Sequence, residues 1–135
     1  MDAVRDSLQA GDDREHEAAA KLFRGLSDAG RLALLRALRD GPTTAGALAT
    51  AAGLSPSGAS NHLRCLLECG LVTVELAGRN SIYRLADPSI ARLLEAGDGV
   101  LALVGPLIEA CRNYGPPRRR QPAQGRSEPL SQRAG

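Results

Sequence analysis

The spacing of apolar residues along the chain predicts a mostly α-helical protein with one small β-hairpin. Leucine and alanine recur at helical spacing in five segments, which are residues 15–26, 29–40, 45–52, 56–69 and 88–104. Between the fourth and fifth segments, apolar residues alternate with others in two runs, 72–76 and 82–85, on either side of Gly78. This alternation predicts the two strands and the turn of a hairpin.

Capping residues and helix breakers indicate where these helices begin and end. Asp28 and Ser55 stand immediately before the second and fourth helices, as N-caps do, and Pro56 takes the favoured first position of the fourth. Thr43 or Thr44 can cap the third helix, which ends at Gly53. A short helix, a tight turn and a second helix make the helix-turn-helix pattern, and the hairpin that follows is its wing.

The two ends of the chain differ in character from its middle. Residues 1–14 are polar and predict a flexible arm, while residues 114–135 are rich in proline, glycine and arginine and predict a disordered basic tail. We therefore place one domain at residues 15–113. Gly105 and Pro106 are expected to kink or break its last helix, leaving a further turn or two beyond them.

Composition narrows the class of protein. The chain is 43% hydrophobic but only 2% aromatic, so its core must be aliphatic, and a partner copy is expected to complete it. No apolar run approaches the roughly 18 residues of a membrane span, and the acidic N-terminal sequence is not a secretory signal. We therefore expect a cytoplasmic protein, in which cysteines are normally reduced.

Charge is distributed unevenly, which affects the case for nucleic-acid binding. The net charge is +2, but residues 115–135 alone carry five arginines and one glutamate, so the remainder of the chain is slightly acidic. The overall charge therefore does not indicate DNA binding, and any DNA contact must come from a local arrangement of residues.

The fourth helix carries two of the three cysteines in the chain. On a helical wheel of about 100° per residue, one side is the apolar stripe of Ala59, Leu63, Leu66 and Leu67. A second side is polar and comprises Ser57, Asn61, Arg64 and Glu68, with Ser60 at its border. Cys65 and Cys69 fall on a third side with His62, away from the leucines.

Two thiolates four residues apart lie about one helical turn from each other and can reach the same soft metal ion. They do not complete a site, because zinc usually takes four ligands. Cys111 is the remaining cysteine, and His62 either packs or contacts DNA. The residues alone leave a second interpretation open, in which the cysteines are small apolar side chains that a dimer partner covers.

These stretches resemble a known family. SPSGASNHLRCLLECGLV, followed by AGRNSIYRLAD, resembles the helix-turn-helix and wing of the ArsR/SmtB repressors, and LSDAGRLALLRALRDG resembles their second helix. The resemblance covers about residues 18–112. It implies a homodimeric winged helix-turn-helix protein, mostly α with a small hairpin, that binds double-stranded operator DNA and represses transcription.

The metal-binding pattern resembles one subgroup of that family. The third helix lacks the Cys-x-Cys of some members, and the last long helix lacks the histidines of others. The CmtR subgroup, which senses cadmium and lead, has Cys-x-x-x-Cys on the recognition helix and a third cysteine near the C-terminus. The resemblance implies that Cys65, Cys69 and Cys111 bind Cd(II) or Pb(II), with the third thiolate from the other protomer. Zn(II) and As(III) remain alternatives, and no organic cofactor is expected.

The resemblance also implies how the protein works: the metal-free homodimer binds its operator, and metal binding releases it. The predicted DNA contacts are Ser57, Ser60, Asn61, His62 and Arg64 on helix 56–69, with Arg79 and Asn80 at the tip of the wing. Two alternatives stay open, a thiol-redox or arsenite-sensing repressor and a DNA-binding module without a ligand.

An enzyme is not expected. The histidines, His16 and His62, have no evident acid or nucleophile partner in the sequence, and no glycine-rich loop suited to phosphate follows a strand.

Overall fold

The computed structural model describes the backbone of residues 2–113 and the side chains of residues 13–113. Along this part of the chain the elements are α1 (Asp2–Leu26), α2 (Ala29–Leu38), β1 (Thr43–Thr44), α3 (Ala45–Ala52), α4 (Pro56–Glu68), β2 (Val72–Ala77), β3 (Asn80–Leu85) and α5 (Pro88–Ala110). Two compact units divide the chain, Met1–Gly97 and Asp98–Gly135. The predicted disordered tail lies outside the described residues.

The core of the first unit is built from aliphatic side chains of α2, α3 and α4 and of the first residue of β2. Its most completely buried side chains are Leu34, Leu35, Leu48, Leu63, Leu66 and Val72. Ile90 and Leu94, in the first half of α5, pack onto the same cluster. Each leucine so buried stabilises the fold by roughly 1.5–3 kcal/mol, and together they fix one side of α4 against α2 and α3.

The predicted N-caps are confirmed. The Asp28 carboxylate accepts a hydrogen bond from the Arg31 backbone N–H at 2.9 Å, which satisfies one of the free amides at the start of α2. Thr44 and Ser55 cap α3 and α4 in the same way, and Pro56 stands at the first position of α4.

The predicted hairpin is confirmed, and it belongs to a three-stranded antiparallel sheet in the order β1-β3-β2. Ala77 pairs with Asn80 across a two-residue turn, in which Gly78 takes a φ of 65° that favours glycine. The extra strand, β1, is only two residues long and pairs Thr43 with Tyr83. The predicted fold class, a mostly α winged helix-turn-helix, is confirmed.

Both terminal helices are longer than the sequence pattern predicts. α1 starts at Asp2 rather than Glu15, and the flexibility of residues 1–14 stays a prediction. Of the kink or break expected at Gly105 and Pro106, the break is wrong, because α5 runs through both residues to Ala110, and the kink stays a prediction. Proline removes a single backbone N–H from the helix, and the hydrogen bonds on either side allow it to continue.

Among the residues that the structure describes, no helix combines the length and the apolar character needed to cross a membrane.

Candidate functional site

A three-residue turn, 53–55, joins α3 to α4 and determines how α4 is presented. Gly53 ends α3 with a φ of 67°, and the Leu54 N–H donates to the Ala49 carbonyl at 2.9 Å, as in a Schellman-type helix end. The residues of α4 that are buried against α2 and α3 are Ala59, Leu63 and Leu66. The opposite side of α4 therefore faces solvent.

The solvent-facing side of α4 carries most of the predicted DNA contacts. Ser57, Ser60, Asn61 and Arg64 are all exposed. At the far end of the hairpin, Arg79 and Asn80 are exposed as well. Hydroxyl, amide and guanidinium groups of this kind can donate to phosphates and to base edges.

His62 is placed differently from the other predicted DNA contacts. Its side chain is only 28% exposed, and its Nε2 lies 3.6 Å from Oδ2 of Asp28, the N-cap of α2. His62 therefore faces the start of α2.

Cys65 and Cys69 are free thiols on the third side of α4, and neither is sealed in the core: Cys65 is half-buried and Cys69 is exposed. They lie one helical turn apart, and the charge of Cys65 influences the Cys69 thiol. Two thiols one helical turn apart can reach the same soft metal ion.

Cys69 opens onto a cavity of about 320 Å³ between α1 and the turn that follows α4. The lining residues are Ala18, Lys21, Leu22, Gly25, Cys69 and Leu71. The cavity gives a small ion a route to the thiol.

The pKa of the Cys69 thiol is raised above its ordinary value. Desolvation is the largest cause, and the charge of the neighbouring Cys65 adds to it. The positive charge of Arg31 acts in the opposite direction. A metal ion that binds this thiol must therefore displace its proton.

Cys111 follows the end of α5, in the second compact unit. It is a half-buried free thiol, and its backbone N–H donates to the Ile108 carbonyl at 3.1 Å. Over the part of the single chain that the structure describes, no three His, Cys, Asp or Glu side chains group closely enough to hold a metal ion. Cys65 and Cys69 belong to the first compact unit and Cys111 to the second, and the shared three-thiol site stays a prediction.

The sequence alone does not indicate that Lys21 and Arg31 lie near this site. Lys21 contributes to the Cys69 cavity from α1, and Arg31 contributes its charge from α2. Both act across contacts between helices, and the sequence carries no local signal for either.

The chain is similar in sequence to known bacterial regulatory proteins. The profile of the family described as "Bacterial regulatory protein, arsR family" matches residues 28–74. The transcriptional regulator CmtR of Mycobacterium tuberculosis is 48% identical over 77 residues, which are 57% of this chain and 65% of that protein. The regulator NmtR of the same species is 38% identical over 84 residues, covering 60% of this chain and 70% of NmtR.

Solved structures agree. The chain resembles a homodimeric winged helix-turn-helix DNA-binding domain from Mycobacterium bovis with a TM-score of 0.62 and 29% identity, covering 70% of this chain and 89% of that one. It resembles the NMR structure of the cadmium sensor CmtR with a TM-score of 0.51 and 47% identity, covering 57% of this chain and 80% of that one. The match to the curated CmtR spans 65% of that protein's length.

Proposed function

Because this chain belongs to the ArsR family of bacterial regulatory proteins, we propose that it is a cytoplasmic transcriptional repressor that binds operator DNA as a homodimer and releases it when Cd(II) or Pb(II) binds its thiolates. The family is one of DNA-binding regulators rather than enzymes, as the sequence predicts. The observation that carries the proposal is the pair of adjacent thiols, Cys65 and Cys69, beside the exposed polar face of α4.

On the DNA side, α4 is the recognition helix and enters the major groove. Asn61 and Arg64 would contact base edges, since amide and guanidinium groups match the hydrogen-bonding patterns of adenine and guanine. Ser57 and Ser60, near the start of the helix, would bind phosphate or base edges. Arg79 and Asn80 at the wing tip would contact the backbone or minor groove.

A second copy of the chain is the expected partner. The second half of α5 exposes large apolar side chains, with Leu103 83% and Leu107 73% exposed. Such a surface favours association in water. A twofold dimer would present two recognition helices to two symmetric half-sites of DNA.

On the metal side, Cys65 and Cys69 would supply two sulfurs and Cys111 of the partner subunit the third. Three thiolates favour soft ions such as Cd(II) and Pb(II) over Mg(II). A relative that is 47% identical over 57% of this chain is described as a cadmium metal-sensor.

Binding of DNA and binding of metal would oppose each other through α4. Its thiols lie beside its DNA face, so a bond from them to the partner would change the position of α4 or the spacing of the two recognition helices. By linkage, DNA would weaken metal binding as much as metal weakens DNA binding. A coupling of about 3 kcal/mol would lower DNA affinity by more than a hundredfold.

The test is a titration of reduced protein with Cd(II) while two signals are recorded, the near-ultraviolet sulfur-to-metal charge-transfer band and the affinity for a DNA duplex. The duplex is selected from a random library by the metal-free protein. We expect the band to appear as DNA is released, and Cys65→Ser, Cys69→Ser and Cys111→Ser each to weaken both signals. Both signals unchanged in Cys65→Ser and Cys111→Ser would show the ligand assignment to be wrong.

The alternative of a redox sensor receives less support, because of the pKa of Cys69. A cysteine that reacts readily with oxidants has a lowered pKa, whereas the pKa of Cys69 is raised. Peroxide in the presence of a metal chelator should therefore leave DNA affinity unchanged, and release of DNA under those conditions would favour the redox alternative.

A further inference from the structure

The contact between α4 and the start of α2 is made by a histidine and a glycine. Oδ2 of Asp28 accepts the hydrogen bond that caps α2, and the same oxygen faces Nε2 of His62 at 3.6 Å. That separation is too long for a hydrogen bond, so the contact is one of charge and packing. One carboxylate oxygen thus joins the cap of α2 to the recognition helix.

Gly30 allows the imidazole to approach this closely. A methyl group at position 30 would lie 2.8 Å from Nε2 and 3.0 Å from Cδ2 of His62, and 3.1 Å from Oδ2 of Asp28. Atoms at such distances overlap, so any side chain at this position would displace the ring. The His62 side chain therefore rests on the bare backbone of α2.

Asp28 is the charged group beside the ring. The Asp28 pKa is lowered, first by the hydrogen bond from the Arg31 backbone and further by the charges of His62 and Arg31. Asp28 is therefore ionised near neutral pH and keeps a negative charge beside the imidazole.

We infer that His62 is a positioning residue: its ring, held on Gly30 beside Asp28, sets the rotation of α4 about its own axis, and so aims the DNA-reading side chains, without itself reading a base. The inference rests on the proposed DNA binding. The ring lies on a different side of α4 from the exposed Asn61 and Arg64, and a small rotation of the helix would move both of those side chains. His62 would thereby determine how well α4 fits the groove.

The test is a double-mutant cycle between Gly30→Ala and His62→Ala, with affinity measured on the duplex selected from a random library by wild-type protein. We expect each single variant to lose affinity by about tenfold, roughly 1.4 kcal/mol. In the His62→Ala background, Gly30→Ala should cost much less than it does alone, because the ring that it displaces is gone and only the 3.1 Å contact with Asp28 remains. Gly25→Ala is the matched control, since a methyl group there meets nothing within 4 Å.

Two further measurements separate positioning from base reading and from a simple loss of folding. His62→Gln, whose amide can donate to Asp28, should recover most of the lost affinity. Across duplexes with single base changes, His62→Ala should lose discrimination at the base pairs that Asn61→Ala or Arg64→Ala also affects, whereas a loss at a base pair that neither affects would mean that His62 reads that base. Thermal unfolding and dimer mass are recorded for every variant, so that affinity is compared between folded dimers.

The outcomes distinguish this inference from the proposed function. Additive losses in the double variant, or a Gly30→Ala protein with full affinity, would overturn the positioning role and leave the repressor intact. Failure of the wild-type protein to select any duplex would overturn the proposed function and the positioning role with it.

Discussion

Arg31 donates a hydrogen bond from its Nε to the carbonyl oxygen of Gly25 at 2.6 Å, and so ties the start of α2 to the end of α1. Its Nη2 reaches the Arg24 carbonyl at 3.4 Å. These carbonyls belong to the last turn of α1, and the Arg24 carbonyl also accepts from the Ser27 backbone N–H at 3.1 Å and from the Ser27 hydroxyl at 2.7 Å. Arg31 also places a positive charge near Cys69, so one side chain affects both the helix junction and the thiol.

Arg31→Ala should therefore lower both stability and metal affinity. Loss of a hydrogen bond from a charged donor should reduce the free energy of unfolding by about 1.5–3 kcal/mol. Removal of the positive charge should raise the Cys69 pKa further and weaken Cd(II) binding at neutral pH. Denaturant unfolding measures the first effect, and Cd(II) titration against a competing chelator measures the second.

Two control variants separate these effects. Arg31→Lys keeps the charge but not the planar donor group, so it should lose stability while keeping most of the Cd(II) affinity. Arg92→Ala makes the same change in net charge on α5 and should alter neither. An equal loss of Cd(II) affinity in Arg92→Ala would mean that net charge, rather than the position of Arg31, governs the thiol.

Metal affinity should rise with pH through the neutral range. Desolvation and the neighbouring Cys65 raise the Cys69 pKa, so the thiol is protonated near neutral pH and its proton competes with the metal. For each proton released, the apparent association constant should increase about tenfold per pH unit until the pH passes the pKa. Chelator competition between about pH 6 and 8 measures this slope; a flat profile would contradict the raised pKa.

An alkylation experiment isolates the part that Cys65 plays. In Cys65→Ser both the charge and the thiol partner are removed, so the Cys69 pKa should fall towards its ordinary value. Cys69 should then react faster with iodoacetamide at neutral pH than it does in the wild-type protein. Mass spectrometry follows the alkylation of each cysteine separately. Equal rates would show that Cys65 has no influence on Cys69.

Local signals made much of the fold predictable. The caps Asp28, Thr44 and Ser55 each act within three residues of their own position, and the apolar stripe of α4 follows from helical periodicity. The strand β1 has no such signal, because two residues cannot display a period and its pairing with Tyr83 is long-range. The sequence predicts an interruption of α5 at Gly105 and Pro106 because proline lacks a backbone N–H, but the helix continues to Ala110.

The sequence predicts which residues of α4 form the candidate site, but not which residues of other helices surround them. A helical wheel places Cys65, Cys69 and His62 on one side of α4, but it does not say what that side faces. This side of α4 faces Asp28 and Gly30 at the start of α2, and the end of α1. These contacts depend on how separate helices pack together. Tertiary packing therefore determines the parts of the site that the sequence leaves open.

Mixing two inactive variants should reveal which chain supplies the third thiolate. Neither Cys65→Ser nor Cys111→Ser should form a complete three-sulfur site by itself. In a mixed dimer, a site shared between chains is restored once, from Cys65 and Cys69 of one protomer and the Cys111 thiol of the other. The charge-transfer band should then return at up to half the wild-type intensity per mixed dimer. No recovery after exchange of protomers, verified with affinity tags, would place all three ligands in one chain.

The apolar surface on the second half of α5 should control assembly. Leu103 and Leu107 lie one helical turn apart, and a carboxylate at position 103 would have to be desolvated in any interface that covers them. Leu103→Glu should therefore shift the protein from dimer to monomer, measured by light scattering, and lower DNA affinity by at least tenfold because only one recognition helix remains. Leu76→Glu, at an exposed leucine of the wing, should stay dimeric; a dimeric Leu103→Glu protein would place the interface elsewhere.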